Sequence, residues 1–281
     1  MKHAKDVMNT PRTTKYESNL TDVMKKIIDE KKSRLLVTEN GKITGLVSEK
    51  DLGLFLLTDH TERKLDEIPL SEIMKKIISV GEKTGLDECA QTMMTNEIGS
   101  LAVTHEDEVV GILTKTDLVR YFTKLGSKKI VGEYMSPYYA WQYSDAPLSK
   151  VVLKMIDEKI SRVILRNHEE SPVGIVTFRD LFNLALDLGE KEDVLDNTDP
   201  VISVIFPRKG FISDTGFGGS TQIHEIMSPN IVYVNYDDDL EKAAKILLEK
   251  NINGMGVLSA HGNIIGIISK TDIVRALAFL L

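Results

Sequence analysis

A seven-residue phrase occurs four times in this chain, and it constrains the fold more than any other feature. It reads Gly45-Leu-Val-Ser48-Glu-Lys-Asp51, Gly111-Ile-Leu-Thr114-Lys-Thr-Asp117, Gly174-Ile-Val-Thr177-Phe-Arg-Asp180 and Gly266-Ile-Ile-Ser269-Lys-Thr-Asp272. The pattern is Gly, two aliphatic residues, a hydroxyl residue, two variable residues and Asp. Four in-register copies mean one unit used four times, so the repeat must be settled before any other reading.

Each unit also opens on a methionine: Met8, Met74, Met135 and Met227. The last two stand in Met135-Ser136-Pro137 and Met227-Ser228-Pro229. Offsets between the glycines are 66, 63 and 92, and between the methionines 66, 61 and 92. The final spacing therefore contains an insertion of about 29 residues. After each methionine comes a short extended stretch, such as Ile231–Val234, then an amphipathic helix. Leu20, Val23, Met24, Ile27 and Ile28 follow helical spacing, with Ser18 or Asn19 as N-cap. Leu240, Ala243, Ala244, Leu247 and Leu248 repeat the pattern behind Asp237-Asp238-Asp239, whose charge suits a helix N-terminus. Two short strands follow. In the first unit, Arg34–Val37 and Ile43–Val47 flank Asn40-Gly41, a strong hairpin turn signal. The equivalent turns are expected at Glu106-Asp107, His168-Glu169 and His261-Gly262. A second helix opens at the hydroxyl residue of the phrase.

The unit is thus strand, helix, strand, strand, helix, and the fold class is α/β (α+β). The expected boundaries are 1–58, 66–125, 127–187 and 223–281 for the repeats, with 188–222 as insertion. A unit this small buries little apolar surface alone, so repeats should pair, 1 with 2 and 3 with 4.

The net charge of −7 argues against a broad phosphate-backbone interface and leaves small anions open. A single cysteine, Cys89, excludes an intramolecular disulfide. The N-terminus lacks the apolar core of a signal peptide, and no apolar run approaches the roughly 20 residues that span a bilayer. A cytoplasmic protein with no membrane or nucleic-acid partner is expected.

With these elements in hand, the chain resembles the cystathionine β-synthase (CBS) domain family. The Met-Ser-Pro opening, the helix, the hairpin and the closing phrase carry the likeness, which covers all but the segment around 187–222. Four repeats in one chain are similar to the arrangement in γ subunits of AMP-activated protein kinases and in free-standing prokaryotic four-repeat proteins. The resemblance implies paired repeats (Bateman modules) that bind AMP, ADP, ATP or S-adenosylmethionine and act as regulatory sensors, not enzymes. A protein partner reads the signal, and a homodimer is expected.

The resemblance also assigns roles. The closing Asp would accept the ribose hydroxyls, and the hydroxyl residue would start a helix whose N-terminus favours a phosphate. The pairs are Ser48 with Asp51, Thr114 with Asp117, Thr177 with Asp180 and Ser269 with Asp272. The same four pairs also read as capping boxes, kept only to start a helix. On that reading the protein is a ligand-free scaffold. Arg34 and Arg162 begin the first hairpin strand of repeats 1 and 3, where repeats 2 and 4 have Ser100 and Gly254. By resemblance they would reach phosphate, which the guanidinium fork matches. Lys115, Arg179 and Lys270 lie just after the helix-starting hydroxyls and could add to phosphate binding or be solvated. Glu49 stands where repeat 2 has Lys115, and would disfavour a polyphosphate near Ser48. Repeats 1 and 2 depart from Met-Ser-Pro, reading Met8-Asn-Thr-Pro11 and Met74-Lys-Lys-Ile77. The proline common in the first hairpin strand is replaced by Leu36, Ala102, Ile164 and Gly256.

The insertion carries Glu190-Lys-Glu-Asp193, a strand-like Val201–Phe206 and the Gly-rich 216–221, read as a loop because the P-loop Gly-Lys-Ser/Thr is missing. The histidines (His3, His60, His105, His168, His224, His261) show no metal-ligand spacing. Cys89, beside Ala90 and Met93, reads as a small core residue.

Overall fold

The computed structural model describes residues 2–59, 61, 63–192, 217–229 and 231–279. The strand expected over Val201–Phe206, with Asp193, Gly216 and His60, lies outside these residues. Repeat 1 contains β1 (Thr13–Lys15), α1 (Leu20–Asp29), β2 (Arg34–Glu39), β3 (Lys42–Ser48) and α2 (Glu49–Thr58). Repeat 2 contains β4 (Ser79–Gly81), α3 (Leu86–Thr95), β5 (Ser100–His105), β6 (Glu108–Thr114) and α4 (Lys115–Phe122). A short α5 (Val131–Tyr134) precedes the third opening, Met135-Ser136-Pro137. Repeat 3 contains β7 (Trp141–Tyr143), α6 (Leu148–Asp157), β8 (Arg162–Arg166), β9 (Pro172–Thr177) and α7 (Phe178–Glu192). After a one-turn α8 (Phe217–Ser220) comes β10 (Ser228–Pro229). Repeat 4 contains β11 (Tyr233–Asn235), α9 (Leu240–Glu249), β12 (Gly254–Leu258), β13 (Ile264–Ser269) and α10 (Lys270–Ala278).

Every repeat therefore has the expected order. In each sheet the first strand runs parallel to the second, which pairs antiparallel with the third. Local chemistry explains the elements. Asn19 caps α1 by accepting the Asp22 N–H at 2.9 Å. Asn40 (φ 51°) and Gly41 (φ 78°) both take left-handed backbone, as a type I′ hairpin needs. Glu106 and Asp107 adopt the same turn at φ 48° and 65° without glycine, a strained choice for two carboxylate residues. In all four hairpins the register slips just after the residue opposite the phrase glycine, at Val37/Thr38, Val103/Thr104, Leu165/Arg166 and Val257/Leu258.

The chain forms two compact units. Unit 1 is Met1–Pro11, Ile77–Tyr139 and Val232–Leu281; unit 2 is Arg12–Lys76 and Ala140–Ile231. Unit 1 holds the bodies of repeats 2 and 4, and unit 2 those of repeats 1 and 3. In unit 1, α4 packs on α9 and α10, and Met93, Phe122, Leu247 and Leu277 share one core. In unit 2, α2 packs on α6 and α7, and Met24, Leu52, Met155 and Phe182 share the other. Full burial of each such side chain contributes roughly 1.5–3 kcal/mol.

The opening segments do not stay with their own repeats. Asn9 pairs with Ile112 of repeat 2, and Lys75 with Leu46 of repeat 1. Ser136 pairs with Ile267 of repeat 4, and Ser228 with Ile175 of repeat 3. Each pair lies within one unit. Repeats 1 and 2 thus exchange openings, as do 3 and 4, matching the two expected pairs. The helical cores add a second pairing that the sequence did not indicate, 1 with 3 and 2 with 4.

The exchange explains the phrase glycine. Met74 packs on Gly45, Met8 on Gly111, Met227 on Gly174, and Met135 with Ser136 on Gly266. A Cβ at Gly45 would sit 3.1 Å from the Lys75 carbonyl oxygen, tight but adjustable. A Cβ at Gly266 would overlap the Ser136 carbonyl oxygen, a backbone atom that cannot swing aside. Gly266→Ala should therefore destabilise by about 1–3 kcal/mol, and Gly45→Ala by distinctly less. Urea unfolding of the two variants checks the order.

Candidate functional site

The hydroxyl of each closing phrase ends a hairpin strand and the Asp lies in the first turn of the following helix, so each phrase sits at a strand-to-helix junction. All four form the same capping arrangement. The backbone N–H groups of Ser48, Thr114, Thr177 and Ser269 donate to Oδ2 of Asp51, Asp117, Asp180 and Asp272 at 3.1, 2.9, 2.7 and 2.8 Å. The hydroxyls of Thr114, Thr177 and Ser269 donate to the same oxygens at 2.6, 2.7 and 2.7 Å, and Ser48 makes the equivalent contact. One carboxylate oxygen per repeat is thus committed to starting a helix, as the capping reading expects.

The other oxygen does different work. Asn9 Nδ2 donates to Asp117 Oδ1 at 2.8 Å. Lys75 forms an ion pair with Asp51 Oδ1. Ser228 Oγ donates to Asp180 Oδ1 at 3.0 Å. Asn9, Lys75 and Ser228 are each the residue after an opening methionine, delivered by the exchange. In repeat 4, Arg275 instead donates to Asp272 Oδ1 at 2.6 Å and to the Tyr134 carbonyl at 2.6 Å. Arg120 joins Asn9 on Asp117 at 2.9 Å. The sequence reading missed all five residues. Arg120 and Arg275 had a signal, since each stands three residues after its Asp, where repeats 1 and 3 have Leu54 and Asn183.

Other expected residues fall near the junctions. Arg34 lies opposite Ser48 across the strand pair, and Arg162 opposite Thr177. Ser100 and Gly254 hold the same register positions opposite Thr114 and Ser269. Arg34 also donates to Ser33 Oγ at 3.3 Å. Strand-start arginines are thus a property of unit 2. Arg179 donates to Glu49 Oε2 at 2.8 Å, so the positive charge expected for phosphate is paired with the carboxylate expected to repel it. In unit 1, Lys115 Nζ donates to Thr271 Oγ1 at 2.9 Å and Lys270 Nζ to Thr116 Oγ1 at 3.2 Å.

Asp117 and Asp272 are each 4% exposed. Burial pushes the Asp272 carboxyl above its ordinary 3.8, against the Ser269 hydrogen bond and the Arg275 charge. By contrast, exposed Asp145 is held low by its hydrogen bond with His168. Cys89 is fully buried, and burial pushes its thiol up to about 12. Among the described residues no group of His, Cys, Asp or Glu is placed to hold a metal ion, and no helix is long and apolar enough to cross a membrane. The Gly-rich stretch is described only from residue 217, where it forms the single turn of α8.

A native pKa above the unfolded one means the fold takes up a proton there. The Asp272 contribution to stability therefore declines as pH rises from the unfolded carboxyl range through the native value. Carboxyl-carbon NMR titration should give Asp272 a midpoint above 3.8 and Asp145 one below it.

The family model for the CBS domain matches the chain four times, at residues 4–56, 70–124, 131–187 and 223–279. Protein MJ1225 of Methanocaldococcus jannaschii is 22% identical over 255 residues, covering 85% of this chain and 84% of that protein. The crystal structure of MJ1225, described as a proposed archaeal homologue of γ-AMPK, matches with a TM-score of 0.78. That match has 20% identity and covers 98% of this chain and 100% of the other. The structure of an uncharacterized conserved protein from Pyrococcus horikoshii matches with a TM-score of 0.63 at 20% identity, covering 98% and 99%. At these identities the likeness is one of fold.

Proposed function

The chain belongs to the CBS domain family, and on that premise we propose that it is a non-enzymatic, cytoplasmic sensor of adenine nucleotides (AMP, ADP or ATP). The observation that carries this reading is the split duty of the four closing carboxylates. Oδ2 is spent on the helix cap. Oδ1 faces a side chain from an exchanged opening segment or an arginine one turn on. A ribose offers two hydroxyl donors to such an acceptor, and Asn9, Lys75 and Ser228 can rotate away without breaking the cap.

Phosphate would be received differently in the two units. In unit 2, Arg34 and Arg162 stand beside Ser48 and Thr177 at the strand ends, and Arg179 is spent on Glu49. In unit 1, Lys115 and Lys270 stand at the helix starts. S-adenosylmethionine fits less well, because it carries no phosphate for these cations. Ligand in contact with both a closing Asp and an exchanged segment would bias how the repeats are joined. A protein partner, a second copy of this chain included, would read that bias through its differential affinity for the two states.

The scaffold reading is favoured by one observation: all four caps are complete without ligand. Calorimetry of the full chain with AMP, ADP, ATP and S-adenosylmethionine separates the two. Binding heat is expected for at least one adenine nucleotide. Asp→Asn changes at Asp51, Asp117, Asp180 and Asp272, made singly, should weaken it tenfold or more at the occupied sites, about 1.4 kcal/mol. The absence of heat at millimolar ligand, or Asn variants that lose only thermal stability, would sink the sensor reading.

A further inference from the structure

The four closing carboxylates differ in what neutralises them. Asp51 is paired with Lys75, Asp117 with Arg120 and Asp272 with Arg275. These three carboxylate side chains are only 9%, 4% and 5% exposed. A ligand that took Oδ1 from such a cation would leave a nearly buried carboxylate without its countercharge, which is costly. Asp180 is different. Its Oδ2 caps α7 through Thr177, and its Oδ1 accepts from the Ser228 hydroxyl at 3.0 Å. Among the described residues no cation pairs with it. Asp180 is half-buried and Ser228 is exposed.

From this contrast we infer that the chain has one receptive closing carboxylate, Asp180, where the Ser228 hydroxyl holds the place of a ligand hydroxyl, and that the other three are internal ion pairs. Replacing the Ser228 donor by a ligand O–H changes the free energy little, because one hydrogen bond takes the place of another. A carboxylate without a cation can accept both hydroxyls of a vicinal diol. The surroundings narrow the ligand further. Across β10, β9, β8 and β7, the register sets Ser228, Ile175, Ile164 and Trp141 side by side. Cross-strand neighbours share a face, so a diol at Asp180 would have an apolar row beside it. That suits a nucleoside, with a diol at one end and a flat base at the other, better than a free sugar.

This inference rests on the nucleotide reading and narrows it from four sites to one, and the test keeps the two apart. Calorimetry of the full chain uses whichever of AMP, ADP or ATP binds the wild type most tightly, and the dideoxy analogue of that nucleotide, which lacks both ribose hydroxyls. The nucleotide should fill a single site per chain, and the analogue should bind at least tenfold more weakly. Among the four Asp→Asn variants, Asp180→Asn should be the one that weakens the nucleotide at least tenfold. Ser228→Ala removes the competing hydroxyl and leaves the backbone pairing of β10, so it should bind severalfold more tightly. A purely structural serine gives no such gain. If Asp180→Asn melts far below wild type, the gain in Ser228→Ala decides in its place. The inference is overturned, with the sensor reading intact, if the loss follows Asp51→Asn, Asp117→Asn or Asp272→Asn, if more than one site fills, if the dideoxy analogue binds like its parent, or if Ser228→Ala binds no more tightly than wild type. No heat with any of the three nucleotides at millimolar concentration overturns both.

Discussion

Each repeat is completed by another repeat's opening methionine, seated on a glycine where an added Cβ would press on that segment. The contact recurs four times, and the rest of the architecture follows from it. It favours a glycine at the start of the closing phrase and places the residue after the methionine in register with the strand behind it. In three repeats it also carries that residue to the closing carboxylate. Close packing makes this discriminating, because a tightly filled interior has little slack for one extra methyl group.

Each closing Asp makes two separate kinds of contact through one side chain. A carboxylate has two oxygens, and the helix cap needs only one. In three repeats the second meets a side chain from another repeat's opening segment. On the proposed reading, a small molecule at the cap would also sit at a joint between repeats. The four joints differ in charge, with a lysine, an asparagine with an arginine, a serine, and an arginine in turn.

Much of the fold was legible in the residues. The helices, the hairpins and their turns are local and periodic, so Leu20, Val23, Met24 and Ile27 reported α1, and Asn40-Gly41 reported its hairpin. The four capping pairs were legible for the same reason, since a capping box is closed within four residues. Arg34 and Arg162 were correctly placed at strand starts because the repeats align without gaps there. Asn9 and Ser228 were not legible as partners of Asp117 and Asp180, since 108 and 48 residues separate them and no local pattern marks the contact. Arg179 illustrates a different failure: its charge was visible, but its partner Glu49 lies 130 residues away.

The sequence by itself determined that one strand-helix-strand-strand-helix unit is used four times, and where each helix begins, because these depend on near neighbours and on hydrophobic period. It also determined that repeats must pair, because so small a unit cannot bury enough apolar surface alone. Only the tertiary structure decided how. Openings are exchanged between 1 and 2 and between 3 and 4, while the helical cores join 1 with 3 and 2 with 4. That choice rests on which apolar faces and which charges meet across long separations, and it puts Glu49 against Arg179 in one unit and two lysines against two threonines in the other.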